Sequence, residues 1–380
     1  MSEKSRFIKE VRQFEFFLKW IWPVFRKLVK NHLTNRCTRC FLSENYVKLT
    51  NGTCELCNRN KTSNPEVGLQ SRKIMQEQMD QLLTDSIKTA SSAYDVLLLF
   101  SGGKDSSYLL YRLMNDYPGL RILALTVDNT FMSPVAMDNV SAIIGKTGVD
   151  HLLLRPKRET MEKMFGYALT HLNDQGCSGT VDQFDGDFFS DVARNIAAEK
   201  KIPYIICGLS GTQVSRILKL NSFLTTPEYE SRRREQVAGI KLDAVFDSDE
   251  MLYWWDPSRY SSNQIPLMIF PFFVWNMEED FIKSEVIRLN LMPRGDESPL
   301  ITNNRLVPLM GIVDMIQFGY SSFEPEFAEM VRVGKAERKQ WLYSFEMLEY
   351  AAKTGRFLGK SLDEILKRLS LTRSDLNIKG

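Results

Sequence analysis

Along the first thirty-five residues, apolar side chains recur at helical spacing, at Ile8, Val11, Phe14, Leu18, Ile21, Phe25 and Leu28, with basic residues between them. This predicts a basic amphipathic arm over residues 1–35, kinked or divided at Pro23, whose ring cannot donate to the helical ladder. The period then stops. Residues 36–60 hold four cysteines, and the polar run from Asn58 to Gly68 predicts a linker into a helix near 70–90, so 61–93 is connector. From Tyr94 short apolar runs alternate with longer amphipathic ones, the pattern of a parallel sheet covered by helices. Strands are expected at 94–100 (YDVLLLF), 121–127 (RILALTV), 150–154 (HLLLR) and 202–207 (IPYIIC), with helices in the gaps. This sheet domain spans 94–277. Within it, 222–260 has no clear period and carries the charge-dense YESRRREQ, which suggests an insertion or lid. Beyond Glu278, residues 278–290, 305–318, 324–351 and 361–369 predict helices, a C-terminal cap over 278–380.

Composition changes this picture only locally. With 380 residues, 43% hydrophobic and 25% charged, the chain can bury a full core, which excludes disordered and fibrous classes. A net charge of +2 does not suggest a nucleic-acid binder. The arm differs: residues 1–40 hold ten Lys or Arg against three Glu, with seven aromatics between Phe7 and Phe25. Lys19 and Pro23 interrupt its richest stretch, so it is too short to span a bilayer. Glu10, Glu15 and Lys19 break any signal-peptide core. The expected location is therefore cytoplasmic, with contact at the inner membrane surface through residues 1–35 one of three readings of the arm. The others are an interface with a partner and a helix packed on its own domain.

Candidate chemistry begins at Ser101-Gly102-Gly103-Lys104-Asp105-Ser106, directly after the apolar strand and directly before the helical SSYLLYRLM. A strand that turns through two glycines into a helix leaves several backbone amides aimed at one spot, with the helix dipole adding positive charge. An anionic phosphate fits there. Ser101 and Ser106 offer hydroxyls, Lys104 a point charge, and Asp105 an oxygen for Mg²⁺ or for orienting the loop. The bland reading is a glycine turn capped by serine and aspartate. The glycine-to-lysine spacing is not that of a Walker loop. Val127 and Asp128 at the end of the second strand, and Gly208 after the fourth, lie on the same carboxyl edge, where nucleotides bind in such folds.

Cys37-x-x-Cys40 and Cys54-x-x-Cys57, thirteen residues apart, have the spacing of two knuckles closing one tetrahedral Zn²⁺ site. Four thiolates leave no open position, so the role is structural. An iron–sulfur cluster is the other occupant thiolates accept. Cys177 and Cys207 remain outside this set.

The loop SGGKDS in this context resembles the PP-loop of the ATP-pyrophosphatase superfamily. That resemblance implies a Rossmann-like sheet of the PP-loop ATPase/HUP type, here with a zinc-ribbon-like module before it and a helical cap after it. It also implies cleavage of ATP between the alpha and beta phosphates, transfer of AMP to a carbonyl or carboxyl oxygen, and displacement of AMP by nitrogen or sulfur. Over roughly residues 36–378 the order CTRC, GTCELC, linker and SGGKDS is similar to the N-acetyl sugar amidotransferases of cell-surface polysaccharide (LPS/O-antigen) biosynthesis. Gly148-Val149-Asp150-His151, Ile202-Pro203, Phe318-Gly319-Tyr320 and Val331-Arg332-x-Gly334-x-x-x-Arg338 extend the similarity. Where that family has a second CxxC-like pair this chain has Cys177-Ser-Gly-Thr180, and where it has Gly-Glu-Asn this chain has Gly208-Leu209-Ser210. The resemblance implies amidation of a sugar N-acetyl group, with ammonia from a separate glutaminase. The rival is sulfur transfer to tRNA, in which Cys177 or Cys207 would carry a persulfide; each is more often an inert core thiol.

Weaker candidates complete the set. Asp182, Asp185 and Asp187 are expected to bind Mg²⁺ or sugar hydroxyls, or else to cap a helix starting near Phe188. Arg232 to Arg234 could meet phosphate from a lid or form a solvated charge run, and His151 is expected to be an ordinary strand residue.

Overall fold

The computed structural model describes residues 3–59, 69–89, 92–275, 277–293 and 303–379. The expected linker therefore lies outside the described residues beyond Arg59.

Five short parallel strands form the centre: β1 (Val96–Leu99), β2 (Ile122–Val127), β3 (Asp150–Leu154), β4 (Tyr204–Ile206) and β5 (Leu267–Ile269). Their order is β3-β2-β1-β4-β5, with Val96 opposite Ile122 on one side and Tyr204 on the other. Parallel strands buried on both faces need continuous apolar runs, and every residue of β2 is buried. The strand order reverses direction at β1, which creates a crevice beyond the carboxyl ends of β1 and β4. Four strands match their expected segments. The fifth, in PLMIF, follows the aperiodic stretch and was not foreseen.

Helices cover both faces. Those that position the site are α1 (Lys104–Asp116), α2 (Pro134–Thr147), α3 (Val181–Glu199) and α4 (Glu279–Arg288). The region near 222–260 is packed on the body. Trp254 and Trp255 are buried, Arg194 pairs with Glu230 at 2.6 Å, and Arg234 pairs with Asp191 at 3.0 Å on α3. Arg234 is thus held by α3 carboxylates. The expected helix over 324–351 divides into α5 (Glu324–Arg332) and α6 (Arg338–Thr354), because Gly334 takes φ +77° between them.

The four-cysteine module docks on this C-terminal region. Phe41 stacks on Phe345, and buried Arg36 bridges Glu324 at 2.9 Å and Glu349 at 3.1 Å. The arm packs there too: Trp22 is fully buried and donates to Glu346 at 3.2 Å, and Arg26 donates to the same carboxylate at 2.6 Å. The arm divides next to Pro23, as expected. A π-turn over Phe17–Ile21 absorbs the missing donor, with the Trp22 amide bonded to Phe17 O, and the helix resumes over Trp22–Leu28. Of the three readings of the arm, packing on its own domain is observed.

Candidate active site

β1 ends in a turn that only glycine fits. Gly102 has φ +70°, and a Cβ there would strike the Ala136 carbonyl and lie 2.7 Å from Val140 Cγ2, both on α2. The loop is therefore pressed against α2. Gly103 is the N-cap of α1 and offers no side-chain cap, whereas α2 is capped by Ser133, which accepts from the Ala136 amide at 3.1 Å. The first amides of α1 face the turn without that partner, at the positive end of the dipole, which is the shape and charge an anion needs. The hydroxyls of Ser101 and Ser106 are 3.2 Å apart on the same turn.

Lys104 stands beside them, its Nζ 2.7 Å from Asp105 and 3.6 Å from Glu279. Burial alone would lower the ammonium, but the two carboxylates more than offset it and leave its pKa raised. Lys104 is charged. Asp105 is half-exposed.

The opposite wall comes from beyond β2. Asp128 accepts from the Thr130 amide at 2.8 Å and from Arg155 at 2.8 Å. Asn129 donates to both oxygens of Asp185, at 2.8 and 3.0 Å, and Asn304 donates to the same carboxylate at 3.0 Å. Residues 303–305 run antiparallel to 131–133, with the Ser133 amide on Asn303 O and the Arg305 amide on Phe131 O, each 2.8 Å. That places Asn303 Nδ2 3.2 Å from Ser101 Oγ. Two consecutive asparagines thereby tie the Ser101–Ser106 loop to Asp185.

α3 begins at Val181, earlier than expected, so Asp182, Asp185 and Asp187 occupy its first two turns and none is its cap. Asp182 is exposed to solvent. Burial pushes Asp185 up to about 7; Asn129 opposes that and Asp182 adds to it. Asp187 is raised by burial and held back by Arg234.

Val127 closes β2 and is buried, and Gly208 follows β4 on the same edge, against Leu109 and Phe272. Cys177 sits in a buried turn whose amide donates to Asp314 at 2.8 Å; burial, then Asp314, pushes its thiol well up. Burial raises Cys207 to about 11. Both thiols are protonated at neutral pH. His151 is a strand residue, as expected, bonded to Thr126 Oγ1 at 2.9 Å. A groove of about 670 Å³ lined by Asp85, Tyr94, Pro203 and Tyr204 lies at the amino edge of the sheet, on the far side from this chemistry.

In the cysteine module the four Sγ atoms of Cys37, Cys40, Cys54 and Cys57 lie within 4.8 Å of one another, Cys37 to Cys57 at 3.8 Å and Cys40 to Cys54 at 3.5 Å. Burial would raise Cys37, but the amides of Cys40, Cys54 and Arg39 bring it down to about 7. Burial lifts Cys40 to about 11. Four converging buried thiols, one of them stabilised as thiolate, fit a metal, which would lower the rest by replacing their protons.

Sequence reasoning missed Asn303, Asn304, Arg155 and Glu279. Asn303 and Ser101 are 202 positions apart, and the polar Asn303-Asn304-Arg305 before an apolar helix carries no signal of that meeting.

The strand order and covering helices define a Rossmann-like α/β protein, with the Ser101–Ser106 loop at its topological switch point. No family model matches the chain and no curated protein matches it. Among solved structures it is similar to the U34-tRNA thiolase NcsA from Methanococcus maripaludis with its [4Fe-4S] cluster, at 15% identity and TM-score 0.32, covering 92% of this chain and 100% of that one. It is also similar to NMN synthetase from Francisella tularensis, at 11% identity and TM-score 0.37, covering 80% and 97%. A third is the NH3-dependent NAD synthetase from Campylobacter jejuni, at 13% identity and TM-score 0.30, covering 60% and 90%. At these scores none carries a function to this chain, and the site must speak for itself.

Proposed function

We propose that this chain splits ATP between the alpha and beta phosphates, transfers AMP to a substrate oxygen and releases pyrophosphate. The observation that carries this is the glycine turn from Ser101 to Ser106, which leaves the start of its helix without a side-chain cap and sets a charged lysine beside it. Ser101, Gly102, Gly103, Lys104 and Ser106 bind the phosphates, while Val127, Asp128 and Gly208 border the nucleotide. Asp105 is the loop's oxygen ligand for Mg²⁺, which would supply counter-charge to the phosphates.

For the acceptor, the sequence similarity favours the carbonyl oxygen of an N-acetylated sugar in surface-polysaccharide synthesis. An amide oxygen is a poor leaving group until it carries AMP; ammonia, supplied by a glutaminase partner, then adds to the carbon, AMP departs, and the attacking nitrogen sheds a proton. Asp185, partly ionised near neutral pH and held by Asn129 and Asn304, is the group we assign to take that proton. Sulfur transfer to tRNA needs a thiolate, and the raised thiols of Cys177 and Cys207 count against a persulfide on either. For the cysteine module we favour Zn²⁺: a tetrahedral ion with bonds of about 2.3 Å sets sulfurs ~3.8 Å apart, whereas a four-iron cube holds its thiolates farther apart.

The test is pyrophosphate release from ATP and Mg²⁺, run with N-acetylated nucleotide sugars plus ammonia and, in parallel, with bulk tRNA. Stimulation by a sugar supports amidotransfer. Stimulation by RNA alone moves the acceptor to a base and overturns the sugar reading, and no release under any condition sinks the adenylation itself.

A further inference from the structure

The arm buries one side and leaves a second apolar side outward. Leu18, Trp22 and Val29 are buried, with Trp22 packed on Tyr350 and bonded to Glu346 of α6. Phe16, Trp20, Val24 and Leu28 recur every fourth residue on the opposite side, and Trp20 is 62%, Val24 65% and Leu28 81% exposed. Ile21, next to Trp20 in the chain, is also exposed. Holding the arm to the body does not require them, because the inner face and the Arg26–Glu346 pair already do that. At 1.5 Å per residue the stripe is roughly 18 Å long.

Its charge is equally one-sided. From Phe16 to Ser43 the chain has no Asp or Glu, and Lys19, Lys27 and Lys30 are exposed along the same helical stretch. Lys19 lies 5.5 Å over the Trp20 ring, at the border between stripe and water. An apolar stripe flanked by lysines, with an indole at its edge, is complementary to a surface that is negative outside and apolar just beneath. No helix among the described residues is long and apolar enough to cross a membrane, so this side can only lie along one.

We propose that the outward side of the arm docks the protein on an anionic lipid surface, inserting Phe16, Trp20, Val24 and Leu28 among the acyl chains while Lys19, Lys27 and Lys30 meet the headgroups. The inner packing stays as it is. This inference stands apart from the ATP chemistry, since none of these residues borders the phosphate loop.

The full chain should float with vesicles of phosphatidylcholine mixed with phosphatidylglycerol, and not with phosphatidylcholine alone. The triple variant Trp20→Ser, Val24→Ser, Leu28→Ser should lose flotation at any salt concentration. A second variant, Lys19→Gln, Lys27→Gln, Lys30→Gln, should lose on the order of 100-fold in partition at low salt and little at high salt, each basic residue being worth roughly fivefold near an anionic surface. Both should keep the wild-type thermal midpoint, because the changed residues are exposed. Absence of flotation by the wild type overturns the proposal. So does flotation unchanged in either variant, and so does concentration-dependent self-association that the serine variant abolishes, since the stripe would then meet a second copy.

Discussion

Lys104 keeps its charge against its own burial because Asp105 and Glu279 stand within 3.6 Å of it. On the proposed reading its carboxylate partners yield to an entering phosphate, so removal of the ammonium would strike transition-state charge more than folding. We expect Lys104→Ala to lower pyrophosphate release by on the order of 10²–10³-fold with an unchanged thermal midpoint; release at the wild-type rate would remove the loop from the mechanism. Asp185 makes a prediction of the opposite kind. Its folded-state pKa of about 7 lies above the ordinary 3.8, so between those values the folded chain holds a proton that the unfolded chain has released. The stability from this group is complete below about pH 4 and is lost as the pH rises through about 7. Asp185→Asn should flatten that fall, read from urea midpoints at a series of pH values, and an unaltered slope would place the proton elsewhere.

At the scale of elements, the loop and the cysteine module each depend on one geometric requirement. Gly102 is trapped between a positive φ and the backbone of α2, so Gly102→Ala should cost about 1–3 kcal/mol and weaken nucleotide binding along with it. Circular dichroism melts and a nucleotide titration would separate the two effects; an alanine chain as stable as the wild type would mean that α2 yields. The module depends on four sulfurs meeting. Metal analysis should find one equivalent per chain in the wild type, and Cys54→Ser with Cys57→Ser should abolish it and destabilise by on the order of 3–5 kcal/mol. Metal content unaltered by those changes would refute the site, and iron with inorganic sulfide in place of zinc would correct its occupant.

Across the whole molecule, the buried Arg36 guanidinium joins the N-terminal module to the C-terminal helices, beside the Phe41–Phe345 stack and the bond from the Ser43 amide to Glu324. Arg36 is withdrawn from water between Glu324 and Glu349; Arg36→Ala leaves both acids buried with weaker compensation, Glu349 keeping Lys353 and Glu324 keeping, among the described residues, neutral donors such as the Ser43 amide. Such a truncation should cost about 3–5 kcal/mol, seen as a lowered thermal midpoint. An effect below about 1 kcal/mol would show that module and helices hold together without it.

Four strands, the loop between the first of them and its helix, and the paired cysteines were legible in the residues because each is a local pattern. An apolar run bounded by glycines announces a buried strand and its turn, and two CxxC pairs announce converging thiols. The fifth strand was hidden because three residues, Leu267–Ile269, are too few to show a period and take their strand character from pairing with β4. The apparent lid near 222–260 showed no period because its order comes from α3 carboxylates and two buried tryptophans. Helical periodicity placed the arm, but one period cannot say which of two apolar sides faces inward; Glu346 and Tyr350, more than 300 positions away, decide it. The Ser101–Ser106 loop was set by neighbours in sequence. What surrounds it, Asn303, Asn304, Arg155 and Glu279, was set by which chain segments the packed sheet brings past its carboxyl edge, and a linear pattern holds no record of that.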